Sequence, residues 1–138
     1  MILLDTNLIS EPLRPTPEPA VVTWIDAQPI ETLFLSAITV AELRAGIASL
    51  PAGKRRDALR ERIETQVLPL FTGRVLAFDL AATQPYAGLL AKAKPKGHKI
   101  ALADAYIAAI ALANGMSVAT RDVAPFKAAG VTVINPWP

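Results

Sequence analysis

The 138-residue chain has no cysteine and a single histidine. Zero cysteines exclude a disulfide framework and thiolate metal sites, and they fit a reducing cytosol. One histidine, His98, cannot supply the separate acid and base of a metal-free ribonuclease, so its expected place is a loop in water. Aromatic residues make up only 6%. Trp24, Phe34, Phe71 and Phe78 read as core, and a broad base-stacking platform is not visible. No apolar stretch free of charge or helix breakers reaches membrane-spanning length, and the first residues lack the basic start of a signal peptide. The expectation is a cytoplasmic protein with no membrane partner. Excess charge is lacking too: 14 Lys+Arg against 12 Asp+Glu give a formal +2, so net charge argues only weakly for nucleic acid. Internal repeats and low-complexity tracts are absent.

What is present is apolar substance. A hydrophobic fraction of 52% over this length predicts one globular domain, residues 1–138, with a core that needs no staples. Strand-like runs alternate with helical ones. Strands are expected at 1–4, 32–35, 75–78, 117–119 and 131–134. Helical segments are expected at 7–13, 21–27, 39–49, 54–67, 80–93 and 100–113, with a short helix around Phe126 and a loop over 94–99. The twelve prolines fall mostly between these elements, where they stop helices. Strands separated by helices imply crossover connections, hence a parallel sheet covered on both faces.

The most informative segment is the first. Ile2-Leu3-Leu4 suits a short buried strand and runs straight into Asp5-Thr6-Asn7. Late in the chain Ser117-Val118-Ala119 gives way in the same manner to Thr120-Arg121-Asp122. Open parallel sheets bind ligands just beyond the carboxyl ends of their strands, so two apolar strands deliver an acid to the edge where a site belongs.

Two further acids stand out. Asp104 shares a helical stripe with Ile107, Ala108 and Ala111, and an unpaired carboxylate on an apolar stripe costs several kcal/mol unless it takes up a proton. Its ordinary alternative is to face the positive end of the helix dipole. Glu42 lies in Thr39-Val40-Ala41-Glu42, which fits a capping box, the preferred reading of that segment alone. Asp5 and Asp122 have ordinary explanations as N-caps. Convergence of all four is less easily explained by folding needs. Four carboxylates at one edge repel one another, and a hard divalent ion removes the conflict. All-oxygen donors suit Mg²⁺ or Mn²⁺, with Asn7 and Thr120 orienting carboxylates. Such a site points to metal-assisted hydrolysis of a phosphate ester. Lys92, Lys94, Lys96 and Lys99 run into the helix of Asp104 and are candidates for holding phosphates. Lys54, Arg55, Arg56, Arg60 and Arg62 read as a solvated face.

The order Asp5-Thr6-Asn7, Thr39 to Glu42, Ala103-Asp104-Ala105-Tyr106-Ile107-Ala108-Ala109, Thr120-Arg121-Asp122 resembles the acidic signature of PIN-domain nucleases of the VapC toxin family. The opening Met1 to Pro12 and the closing Asn135-Pro136-Trp137 look most like the FitB-like subgroup. The resemblance spans nearly the whole chain. It implies a three-layer α/β/α fold with a five-stranded parallel sheet and Mg²⁺-dependent cleavage of RNA. Asp5 and Asp104 would be the principal metal ligands, Glu42 and Asp122 would complete the acidic pocket, and Thr6, Asn7 and Thr120 would support them. It further implies a homodimer neutralised by a small antitoxin with a DNA-binding domain, whose tail places a basic side chain among the acids.

Two other readings stay in view. One is a PIN module of weak or unused activity, acting mainly as partner and corepressor of a DNA-binding antitoxin. The other is a phosphatase or phosphate-accepting receiver. The phosphatase requires a second aspartate where Asn7 stands, and both require a lysine at a later strand end, where this chain offers Asp122 and Asn135.

Overall fold

The computed structural model describes residues 1–97 and 99–138; the expectation for His98 lies outside the described residues. Five strands, β1 (Ile2–Leu4), β2 (Leu33–Ser36), β3 (Val75–Leu76), β4 (Ser117–Ala119) and β5 (Val133–Ile134), form one parallel sheet in the order β3-β2-β1-β4-β5. The helices are α1 (Thr6–Ser10), α2 (Pro19–Ala27), α3 (Ala37–Ala48), α4 (Lys54–Arg62), α5 (Leu80–Ala93), α6 (Leu102–Ala113) and α7 (Val123–Ala128).

Period-two alternation along the strands builds the three layers. Leu3 and Val118 enter one apolar cluster with Ile107, Ile110 and Phe126, while their neighbours Leu4 and Ala119 enter the other with Leu8, Leu43 and Ile63. Phe34 joins the first cluster and its flanks Leu33 and Leu35 the second. Helices α5, α6 and α7 cover the first face, and α1, α2, α3 and α4 the second. Strands buried on both faces read as continuous apolar runs, which is why they were recognisable.

Differences from expectation are local. Helix α4 ends at Arg62, and a π turn at Ile63–Val67 followed by a 3₁₀ turn at Leu68–Phe71 continues what periodicity presents as one helix. Strand β3 pairs over two residues only, Leu35 with Val75 and Ser36 with Leu76, so Phe78 lies beyond it. Helix α5 carries Pro85 in its interior, against the expectation that prolines mark boundaries. The 94–99 loop includes a 3₁₀ turn at Lys94–Lys96.

The strand order reverses direction between β1 and β4, which makes their carboxyl ends the topological switch point of the sheet. Leu4 pairs with Ala119 there, and the Asp5 amide donates to the Ala119 carbonyl at 3.0 Å. Both polar segments therefore leave the sheet side by side.

Candidate active site

Asp5 is the anchor. It is 4% exposed and accepts three hydrogen bonds: from the Thr6 amide on Oδ1 at 2.8 Å, and on Oδ2 from the Thr120 hydroxyl at 2.7 Å and Asn7 Nδ2 at 3.3 Å. The first makes Asp5 the N-cap of α1, as its ordinary reading expects. Thr120 is fully buried, and its oxygen also accepts from the Asp122 amide at 2.9 Å and from Asn7 Nδ2 at 3.2 Å. That occupies the hydroxyl's donor and both acceptor positions. The Arg121 amide donates to Asn7 Oδ1 at 3.1 Å, which fixes the asparagine orientation.

Glu42 is not in a capping box. Ser36 caps α3, its hydroxyl accepting from the Thr39 amide at 3.0 Å, so the helix begins at Ala37 and Glu42 falls in its second turn. The strand-end serine wins because it stands where β2 stops and three orphan amides follow. Thus freed, Glu42 accepts from the Thr6 hydroxyl at 2.6 Å, which links α3 to the segment after β1. Asp122 stands at the N-cap position of α7 but its side chain makes no capping bond, and it is exposed. Asp104 is the third residue of α6, in the first turn and half-buried, at the head of the stripe formed by buried Ile107, Ala108 and Ala111.

The electrostatics join these four. Burial, then Asp5, Asp122 and Glu42, push the Asp104 carboxyl up to about 6. Burial likewise raises Asp5, with Glu42 and Asp122 adding to it, while hydrogen bonds from Thr120 and Thr6 pull the other way. Among the described residues no lysine or arginine forms an ion pair with any of the four. No three His, Cys, Asp or Glu side chains among the described residues stand close enough to grip one ion together. Mg²⁺ takes one or two carboxylates directly and keeps several waters, and the repulsion felt by Asp5 and Asp104 together with the all-oxygen donor set fits such a hydrated hard cation.

Three features escaped sequence reasoning. Glu11 is 3% exposed and closes the turn after α1. It accepts from Arg14 Nη1 at 3.1 and 3.0 Å and from the Glu18 amide at 3.1 Å. Desolvation would raise its carboxyl, but these bonds and the charges of Arg14 and Arg121 hold it below the usual range. Its sequence signal was the arginine three residues on. The Arg121 guanidinium lies over the Trp137 ring, 5.6 Å from its centroid. A groove of about 310 Å³ opens beside Thr6 and Glu42, with Leu13, Leu43, Ile47 and Leu59 on its walls. Arg55 borders that groove, and with Arg14 and Arg62 an adjoining hollow; Lys54, Arg55, Arg60 and Arg62 are exposed, as expected of a solvated face.

Comparisons with known proteins agree with this architecture. The PIN domain family model matches residues 2–131. The chain is 64% identical to plasmid stability protein StbB of Pseudomonas syringae pv. tomato over 99% of both chains. It is 61% identical to VapC ribonuclease Y4jK of Sinorhizobium fredii over 99% of this chain and 98% of the relative. Among solved structures, FitAB bound to the IR36 DNA fragment superposes with a TM-score of 0.96 at 54% identity, over 100% of this chain and 96% of that one. A parallel sheet of order β3-β2-β1-β4-β5 with acids at its switch point, matched nearly end to end by these relatives, places this chain in the PIN-domain family, in the branch that holds VapC and FitB.

Proposed function

We propose that the chain is a Mg²⁺- or Mn²⁺-dependent endoribonuclease, the toxin of a type II toxin–antitoxin pair. The observation that carries this reading is the gathering of Asp5, Glu42, Asp104 and Asp122 about the β1/β4 switch point, where Glu42 and Asp122 raise the proton affinity of Asp5 and all three raise that of Asp104, with no cation of the described residues paired to them. Asp5 and Asp104 would hold the ion, and Glu42 and Asp122 would complete its oxygen-rich surround. Bound there, the ion supplies an activated water and offsets the negative charge that builds on the scissile phosphate. The chain's own work is positional. Thr120 and Asn7 lock the Asp5 carboxylate, Thr6 ties Glu42 to the same edge, and half-burial keeps Asp104 in a medium where charge is felt strongly. Cleavage of single-stranded RNA should stop with EDTA and return with Mg²⁺ or Mn²⁺. Water as nucleophile leaves 5′-phosphate and 3′-hydroxyl ends; a cyclic phosphate product contradicts the mechanism.

The proposed partner is a small antitoxin with a DNA-binding domain. The groove beside Thr6 and Glu42 has apolar walls, with Glu42 as its one acid and Arg14 and Arg55 on the same lining, which suits a tail that buries apolar side chains and brings a basic group to Glu42 and an acidic one to the arginines. The structure of FitAB bound to a DNA fragment, together with 55% identity to toxin FitB of Neisseria gonorrhoeae, supports such an assembly. A homodimer within a cytoplasmic complex completes the proposal.

The same groove favours a second reading, in which the chain serves mainly as partner and corepressor of that antitoxin. Expression of the native chain and of Asp5→Asn separates the two. Growth arrest by the native chain alone supports the nuclease, and arrest by both counts against it.

A further inference from the structure

Arg121 sits between two residues of the site, Thr120 and Asp122, and its amide is bonded to Asn7. Its guanidinium is exposed. Its charge reaches Glu11, whose carboxyl it helps to lower, yet among the described residues Arg121 makes no ion pair with Glu11 or with the four acids of the site. It lies instead on the Trp137 ring, 5.6 Å from the centroid. Trp137 is anchored for the purpose: its ring packs against the cluster of Leu4, Leu8 and Leu33, and its amide donates to Asn135 Oδ1 at 3.0 Å.

The physical consequences differ from those of a salt bridge. An aromatic face attracts a guanidinium without neutralising it and occupies none of its acceptor-seeking N–H fork. That fork matches the geometry of a phosphate. Keeping the arginine off the carboxylates leaves them available to a metal ion. It also leaves one positive group where a polyanion, repelled by the acids, must come close.

We propose that Arg121 is a substrate-binding residue that holds an RNA phosphate next to the scissile bond, and that Trp137 is a positioning residue that keeps the guanidinium off the acids and aimed at the substrate. This rests on the nuclease reading and names a part of its substrate site.

The test compares the full-length native chain with Arg121→Ala, Arg121→Lys, Trp137→Phe and Trp137→Ala. Steady-state cleavage of a single-stranded RNA with Mg²⁺ is measured alongside anisotropy of a labelled RNA in EDTA. Arg121→Ala should raise KM and weaken RNA binding by about tenfold, with kcat within about twofold. Losing one phosphate contact should also lower the salt dependence of binding by roughly 0.7 in log–log slope. Trp137→Phe keeps an aromatic face and should stay near native, and Trp137→Ala should shift KM in the same direction as Arg121→Ala. Arg121→Lys should recover part of the loss. Unchanged RNA affinity in Arg121→Ala, or a loss confined to kcat, overturns the proposal. If Trp137→Ala unfolds, the Trp137→Phe and Arg121 arms still decide. A native chain that binds RNA but never cleaves it defeats the nuclease reading alone, because the anisotropy arm continues to test Arg121.

Discussion

The Thr120 hydroxyl donates to Asp5 Oδ2 at 2.7 Å across 115 residues of sequence, and this bond is what makes the two polar strand ends one site. Thr120→Val keeps the shape and removes the donor. It leaves Asp5 short of a partner and the Asp122 amide without its acceptor, at a cost of about 1–3 kcal/mol. Urea denaturation should find that loss, and RNA cleavage should fall at least tenfold. Thr120→Ser should retain most of both.

Asp104→Asn should abolish cleavage while the metal-free protein becomes more stable. The raised carboxyl reflects burial and repulsion, and after allowance for solvent screening of this half-exposed group the gain is about 1–2 kcal/mol at pH 7.5. A thermal melt that falls by several kcal/mol instead would assign Asp104 a structural role.

The pH dependences of stability and of metal binding should run in opposite directions. Asp104 binds its proton more tightly folded, near 6, than unfolded, near 3.8, so across that window the native state holds more protons. Stability of the metal-free chain therefore falls as pH rises from about 4 to 6 and levels off above it, as far as this group is concerned. Metal affinity should do the reverse, weakening as pH drops through about 6 because the ion must displace that proton. Denaturant melts and calorimetric titrations at pH 5.5 and 7.5 check both halves.

Glu11 has the contrary signature. Its carboxyl is held low, so its contribution is present at neutral pH and lost as acidification protonates it. Glu11→Gln should cost on the order of 2 kcal/mol at pH 7, because two charged bonds to Arg14 and one to the Glu18 amide lose their anion. The deficit relative to the native chain should shrink by pH 4, as followed by urea melts at the two pH values.

The fold was legible because β1, β2 and β4 are buried on both faces and so read as uninterrupted apolar runs bounded by polar residues. The 54–67 segment was read as one helix because periodicity does not register the π turn at Ile63–Val67, which keeps the apolar side inward. Among the acids, Asp5 and Asp122 were visible from the strands that deliver them, and Asp104 from its apolar stripe. Glu42 was ambiguous because local pattern favoured a cap; only the competing hydroxyl of Ser36, one residue past Leu35, settled it. Glu11 and Arg121 were missed for a common reason. Arg14, three residues from Glu11, was a local signal left unread, but the Glu18 amide that completes the Glu11 site and the Trp137 ring under Arg121 come near only by folding.

The central claim is that Asp5 and Asp104 share a divalent ion. Its most direct test is a Mn²⁺ titration followed by the loss of the free-ion electron paramagnetic resonance signal at pH 7.5. Uptake by the native chain, with marked weakening in both Asp5→Asn and Asp104→Asn, is the predicted result. Native and substituted chains that leave the same concentration of Mn²⁺ free would contradict the account.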